Sequence, residues 1–391
     1  MKLLFVMNSA HYFVLNRLPL AITAKKAGYD VYIAAQCDDA ESVRRIESEG
    51  ITYLPFNIHR KGLKPLSTLS SYRQLSNIFN EIQPDIVHGY TIKALVLSGI
   101  LCRHRNIPFV GLIAGSGMAF NSKGLQGWIL KQIAKNLYRY VFRSRQSVSC
   151  FQNRDDQREL MSLGICTKEQ TQLVGSGVNT QRFSFLSYNT VCNSSRSVLL
   201  AARMLRNKGI TEYLLASQVV RLRHPNTEFK MVGAPDTGNP NSFSPKELEI
   251  LCQESNVQWL GHTNDMPGAL RECDIFCMPT YYPEGIPMAL LQAASMGKPL
   301  IVTDVPGCRE VVKDQETGLL IPPRDPEALA KAIIQLLESP QLCSTLSSSV
   351  REHIEGCHRE ELHHERYLSI YRTLIKETRS VFPSPSSCAS I

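Results

Sequence analysis

Ile275-Phe276-Cys277-Met278-Pro279-Thr280-Tyr281-Tyr282-Pro283-Glu284-Gly285-Ile286-Pro287-Met288-Ala289-Leu290-Leu291-Gln292-Ala293-Ala294 is the stretch on which the fold turns. The first four residues read as a buried strand. Pro283, Gly285 and Pro287 then shape a tight turn, and a helix starts near Pro287. A strand passing through a short turn into a helix is half of a βα unit. The same alternation recurs outward in both directions. Apolar runs stand at Leu3–Met7, Tyr29–Ala35, Tyr53–Ile58, Asp85–His88, Phe109–Ala114, Ser147–Phe151 and Gln172–Gly175. A second set stands at Ser197–Ala202, Glu228–Val232, Val257–Gly261, Ile275–Met278, Leu300–Thr303 and Leu319–Ile321. Helical patterns separate the runs, which predicts parallel sheets buried on both faces. The polar segment Phe183–Arg196 divides the two sets. Two doubly wound α/β domains are therefore expected, at 1–185 and 196–391, with the last helices (about 360–378) as candidates to pack back on the first.

Composition narrows the class. Of 391 residues 43% are hydrophobic and 20% charged, which excludes wholesale disorder and a coiled coil. No 18-residue apolar run predicts a membrane span, and Leu3–Met7 is too short for a signal-peptide core. The twelve cysteines are scattered as singles without CxxC, so reduced thiols in a cytoplasmic protein are expected, with no zinc site. Charge is unevenly spread. Residues 1–185 carry 23 Lys+Arg against 12 Asp+Glu, a net of +11, and the remainder nets −3. No acid lies between Asp85 and Asp155, where ten basic residues do. A basic half points to an anionic partner. Nucleic acid is disfavoured, because neither an aromatic-interleaved RNA-binding run nor a helix-turn-helix signature accompanies the charge.

Three motifs carry chemistry. The helix start near Pro287 offers free backbone N–H groups that attract phosphate. Glu284 beside it is either an ordinary helix-entry acid or a group that holds sugar hydroxyls. Arg203-Met204-Leu205-Arg206-Asn207-Lys208-Gly209 follows a strand, so Arg203 and Lys208 are able to converge where doubly wound sheets bind ligands; alone, it reads as a solvated loop. Asp304-Val305-Pro306-Gly307-Cys308-Arg309-Glu310 with Thr317-Gly318-Leu319-Leu320 reads as strand, turn, short helix and strand.

Together these residues resemble family 4 of the retaining glycosyltransferases, whose fold is GT-B, two Rossmann-like domains facing across a cleft. Arg and Lys five apart before Gly209, Glu284-Gly285-Ile286-Pro287, Gly307-Cys308-Arg309-Glu310 and Thr317-Gly318-Leu319-Leu320 match the family's order over 196–340. The interdomain pattern is similar at Val178–Phe183. The resemblance implies transfer of a sugar from a nucleotide diphosphate, with UDP the expected nucleotide. It assigns Arg203 and Lys208 to the leaving diphosphate and Glu284 to the donor sugar. Gly285, Ile286, Pro287, Met288, Leu291, Gln292 and Gly261 are the implied donor-binding residues. No Asp-x-Asp is present, so no cofactor and no divalent metal are expected.

Arg60–Leu66, Pro84–His88 and Gly115-Ser116-Gly117 resemble the branch that acts on polyprenyl-diphosphate-linked saccharides in O-antigen, capsule and glycoprotein assembly. His11, His88, Gly115, Ser116 and Gly117 become the acceptor-side candidates. The chain departs from the family pattern at three places. Gln292 replaces the second Glu, which in relatives binds the ribose. Asn8-Ser9-Ala10-His11 replaces a Gly-Gly loop, and Ala114-Gly115-Ser116 replaces a His. Retention places attack on the leaving-group face, where a diphosphate oxygen is able to take the acceptor proton. The basic, amphipathic segment Ser122–Arg145 predicts peripheral attachment to an anionic inner leaflet. The rival readings are a nucleotide-sugar hydrolase or epimerase on this fold and a non-catalytic binder of nucleotide sugar, the latter motivated by Gln292.

Overall fold

The computed structural model describes residues 1–58, 65–115, 124–188, 196–236, 238–282 and 284–381. They form two compact units: Met1–Val174 together with the chain from His363 onward, and Gly175–Leu362. The first unit therefore closes at Val174, short of the expected 185. Segment 175–186 is instead tied to second-unit residues: Val178 N–H donates to His358 O at 2.8 Å and Ser295 Oγ to Phe183 O at 2.7 Å. Half of the expected linker, residues 189–195, lies outside the described residues.

The first unit is built on β1 (Lys2–Val6), β2 (Asp30–Ala35), β3 (Thr52–Pro55), β4 (Ile86–Gly89), β5 (Phe109–Ile113), β6 (Ser147–Phe151) and β7 (Thr171–Leu173). They lie in the order β3-β2-β1-β4-β5-β6-β7, every neighbouring pair parallel. The helices are α1 (Ala10–Asn16), α2 (Leu18–Lys26), α3 (Ala40–Ser48), α4 (Pro65–Ile82), α5 (Ile92–Arg105), α6 (Gly124–Phe142) and α7 (Arg154–Ser162). Strand side chains alternate between two cores. Leu3 and Phe5 pack with Phe13, Leu20 and Ala24 of α1 and α2, while Leu4 and Val6 pack with Leu75 and Phe79 of α4 and Phe142 of α6. Burial on both faces is why these strands read as unbroken apolar runs.

The second unit repeats the plan with β8 (Ser197–Ala201), β9 (Glu228–Val232), β10 (Gln258–Trp259), β11 (Ile275–Met278), β12 (Leu300–Thr303) and β13 (Leu319–Ile321). Their order is β10-β9-β8-β11-β12-β13, again parallel. Its helices are α8 (Ile210–Arg223), α9 (Pro245–Glu254), α10 (Met266–Arg271), α11 (Met288–Ser295), α12 (Pro306–Arg309), α13 (Pro326–Glu338) and α14 (Pro340–Cys357). The last helix, α15 (Glu360–Val381), starts in this unit and from His363 belongs to the first, where Tyr367, Leu368, Tyr371, Leu374 and Ile375 join the core beside α1 and α2.

Among the described residues thirteen strands thus stand where thirteen apolar runs were read, in two doubly wound sheets. Eight of the ten described cysteines are buried, and none of those ten is paired. Among the described residues no helix is long and apolar enough to cross a membrane.

Candidate functional site

Strand order reverses between β8 and β11 in the second sheet, and ligands of doubly wound sheets bind outside the carboxyl ends at such a point. The two strands release the segments 202–209 and 279–287 there. Their mutual approach is set by glycine. Gly209 has φ +76°, and a Cβ on it would stand 2.1 Å from the Pro279 carbonyl oxygen. A Cβ on Gly307 would stand 1.8 Å from the Gly285 carbonyl oxygen, which brings the β12–α12 turn against the same loop. Hydrogen bonds close the junction. Tyr281 N–H donates to Asn207 O at 3.0 Å, Tyr281 Oη to Arg206 O at 3.0 Å, and Thr303 Oγ1 to Thr280 O. The three sequence motifs therefore meet in one place.

Lys208 is 5% exposed, and its ammonium pairs with the Glu284 carboxylate. It lies 5.2 Å from the centre of the Tyr282 ring. A cation this buried needs such partners, because its desolvation is otherwise uncompensated. Arg203 projects into solvent and pairs with Asp236 at 2.7 Å. Next to Glu284, Pro287 occupies the N-cap of α11 and provides no side-chain cap, so the helix begins without one. Met288 and Ala289 in its first turn are half-buried and Gln292 is half-buried one turn on. Gly285 and Pro287 are buried in the turn, with Pro283 outside the described residues.

Other candidates fall differently. Leu291 and Ile286 lie in the hydrophobic core, and Leu291 N–H is used by Pro287 O at 3.2 Å. Leu291 thus supports the helix and has no free group for a donor. Gly261, just past β10, has φ +70° with open space where a side chain would stand, and its carbonyl accepts Gly233 N–H at 2.7 Å. Burial, reinforced by Glu284, raises the Cys308 thiol, which stays protonated against the junction.

In the first unit the switch point lies between β1 and β4. His11, in the first turn of α1, has Nδ1 3.3 Å from both Asp39 Oδ2 and Ser42 Oγ, with most of its ring in solvent. His88 is 0% exposed. Its Nδ1 is 2.6 Å from Tyr371 Oη and 3.0 Å from Tyr90 Oη, and its ring stacks on Tyr90 at 4.2 Å. Burial, then the nearby Arg17 charge, pulls its imidazole well below the usual histidine range. A residue so enclosed fastens α15 to the sheet and has no exposed atom to offer an acceptor. Gly115 takes φ +89° after β5. Ser116, Gly117 and most of the Arg60–Leu66 motif lie outside the described residues.

Asp236, Tyr282 and the Asn207 backbone were missed from the sequence. Asp236 sits 33 residues beyond Arg203, in a loop whose sequence signal is its Pro, Gly, Asn and Ser content. Among the described residues no group of three or more His, Cys, Asp or Glu is placed to hold a metal ion.

Two family descriptions match the chain: "Glycosyl transferases group 1" over residues 192–353 and "Glycosyl transferase 4-like" over residues 2–152. The chain belongs to glycosyltransferase family 4. This glycosyltransferase is 24% identical, over 92% of its length and 95% of the relative's, to the N,N'-diacetylbacillosaminyl-diphospho-undecaprenol alpha-1,3-N-acetylgalactosaminyltransferase of Campylobacter jejuni. It is 23% identical, over 75% of its length and 76% of the relative's, to the UDP-Gal:alpha-D-GlcNAc-diphosphoundecaprenol alpha-1,3-galactosyltransferase of Escherichia coli. Among solved structures, Anabaena Alr3699/HepE in complex with UDP superposes with a TM-score of 0.77 at 18% identity, covering 95% of this chain and all of that one. A glycosyltransferase from Rickettsia africae gives 0.76 at 18% identity, covering 96% and 98%. The two sheets are those of the GT-B fold.

Proposed function

We propose that this glycosyltransferase moves a hexosyl residue from a UDP-sugar to a polyprenyl-diphosphate-linked saccharide, with retention at the anomeric carbon. The observation that carries the donor half is the buried Lys208–Glu284 pair beside the uncapped start of α11, at the switch point of the second sheet. As the bond from the sugar to the diphosphate breaks, negative charge gathers on the diphosphate. Lys208, Arg203 and the N–H groups of the first α11 turn neutralise it. The sugar carbon becomes oxocarbenium-like, and Glu284 orients the ring through its hydroxyls. A diphosphate oxygen takes the acceptor proton, so no protein base is required.

The acceptor half is supported by the two relatives, whose names specify undecaprenyl-diphosphate-linked acceptors and which align along most of this chain. A cytoplasmic enzyme held at an anionic membrane surface fits that acceptor. In α6, Trp128 is 59% exposed, Ile129 45% and Ile133 41%, and Lys131 and Lys135 are interleaved with them. Apolar side chains that face solvent among lysines suit the headgroup boundary of an anionic bilayer. The deciding experiment measures UDP release from a panel of UDP-hexoses with and without undecaprenyl-diphosphate saccharides. Release that requires the lipid-linked acceptor supports the proposal. Equal release without acceptor favours a hydrolase.

A further inference from the structure

Both cations assigned to the diphosphate already hold a carboxylate, Lys208 that of Glu284 and Arg203 that of Asp236. The pairs differ in kind. The Lys208 side chain is 6% exposed, whereas those of Arg203 and Asp236 are 55% and 34% exposed. An ion pair that open to solvent changes an equilibrium constant by about fivefold at most, so a better anion displaces it readily. Asp236 does not depend on Arg203 for its position. Its N–H donates to Ser242 Oγ at 2.9 Å, its carbonyl accepts Asn239 N–H at 2.9 Å, and its carboxylate accepts Asn239 Nδ2 at 3.2 Å. The loop that carries it is tied to the strand end: Arg206 N–H donates to Asn241 O at 2.8 Å and Phe243 N–H to Met204 O at 3.0 Å. When Arg203 turns to a diphosphate, the Asp236 charge therefore stays behind, beside the new anion.

We infer that Asp236 is a stand-in for the diphosphate: it holds Arg203 before the donor arrives, competes with the bound diphosphate, and recaptures Arg203 as the nucleoside diphosphate product leaves. The inference rests on the reading of Arg203 and Lys208 as the diphosphate site and adds to it a residue that lowers product affinity. Asp236 is then a tuning residue, not a group that touches the reacting atoms.

Calorimetric titration of the full chain with UDP, inorganic diphosphate and uridine tests this. Asp236→Asn, which keeps the Asn239 side of the contact, should bind UDP and inorganic diphosphate about 3- to 10-fold more tightly than wild type, with uridine unchanged. Asp236→Ala should shift in the same direction. Arg203→Gln should weaken UDP, and Asp236→Asn added to Arg203→Gln should give a smaller gain than in wild type, from relief of like-charge repulsion alone. Unchanged or weaker UDP binding by both Asp236 variants overturns the inference, since Asp236 would then be holding Arg203 ready for the ligand. Failure of the underlying reading is visible separately: Lys208→Gln and Arg203→Gln would both bind UDP as wild type does.

Discussion

The two sheets share a winding but use their switch points differently. In the second unit the β8 and β11 ends carry charges held in pairs, Lys208 with Glu284 and Arg203 with Asp236, around a helix start with no cap. In the first unit the β4 end is sealed. His88 is enclosed by Tyr90, Tyr367 and Tyr371, and α15 closes over it. What the first unit exposes instead is the apolar side chains of α6, Trp128, Ile129 and Ile133 among them. One architecture thus carries a cluster of short-range ion pairs at one switch point and a polar cluster that serves packing at the other. Spacing along the chain discloses the former and not the latter.

The sharpest way to break this comparison is to remove the second unit's cations. Lys208→Ala and Arg203→Ala should each lower kcat/KM by about 10²-fold or more, as for loss of an electrostatic transition-state contact. Lys208→Ala should be the worse, because it also strands Glu284 beside a buried loop. Wild-type kcat/KM in both variants would move the chemistry elsewhere.

A second test concerns the sealed histidine. Its folded pKa is depressed, so above pH 6.5 the imidazole is neutral in both folded and unfolded chains and the His88 contribution is fully present. As pH falls below about 6.5 only the unfolded chain takes the proton, and stability should drop by up to about 1.4 kcal/mol per pH unit. His88→Gln should flatten that slope in thermal melts between pH 6.5 and 5, at a cost of about 1–3 kcal/mol at pH 7 from unpaired tyrosine hydroxyls. An identical slope in the variant would assign acid sensitivity to other groups.

The surface of the first unit is tested by co-sedimentation with liposomes. Binding should need anionic lipid and weaken with salt, because exposed charges are screened beyond about 8 Å at physiological ionic strength. Trp128→Ala with Ile129→Ala should reduce it about tenfold, given the area those side chains are able to bury. Binding to neutral vesicles, or no loss in the double variant, counts against α6 as the contact.

Gln292 should show the smallest effect. Gln292→Ala is expected to raise the donor KM a few-fold with kcat nearly unchanged, the sign of uniform binding, and Gln292→Glu to preserve or improve donor affinity. Glu284→Ala, by contrast, should lower kcat. The reverse pattern would mean that the α11 motif is read differently here from elsewhere in the family.

The amino-acid sequence by itself determined the two parallel sheets and the helix start at Pro287. Each of these rests on neighbours in the chain: continuous apolar runs for strands buried on both faces, and a proline turn before a helix. Tertiary structure alone decided that α15 completes the first core, that Gly209 and Gly307 let backbones touch, and that Lys208 is buried against Glu284. It alone turned His88 inward and set Asp236 on Arg203. These depend on groups brought together from 22 to 342 residues apart, and no local propensity or spacing encodes which distant partner will neutralise a charge or shield a ring from water.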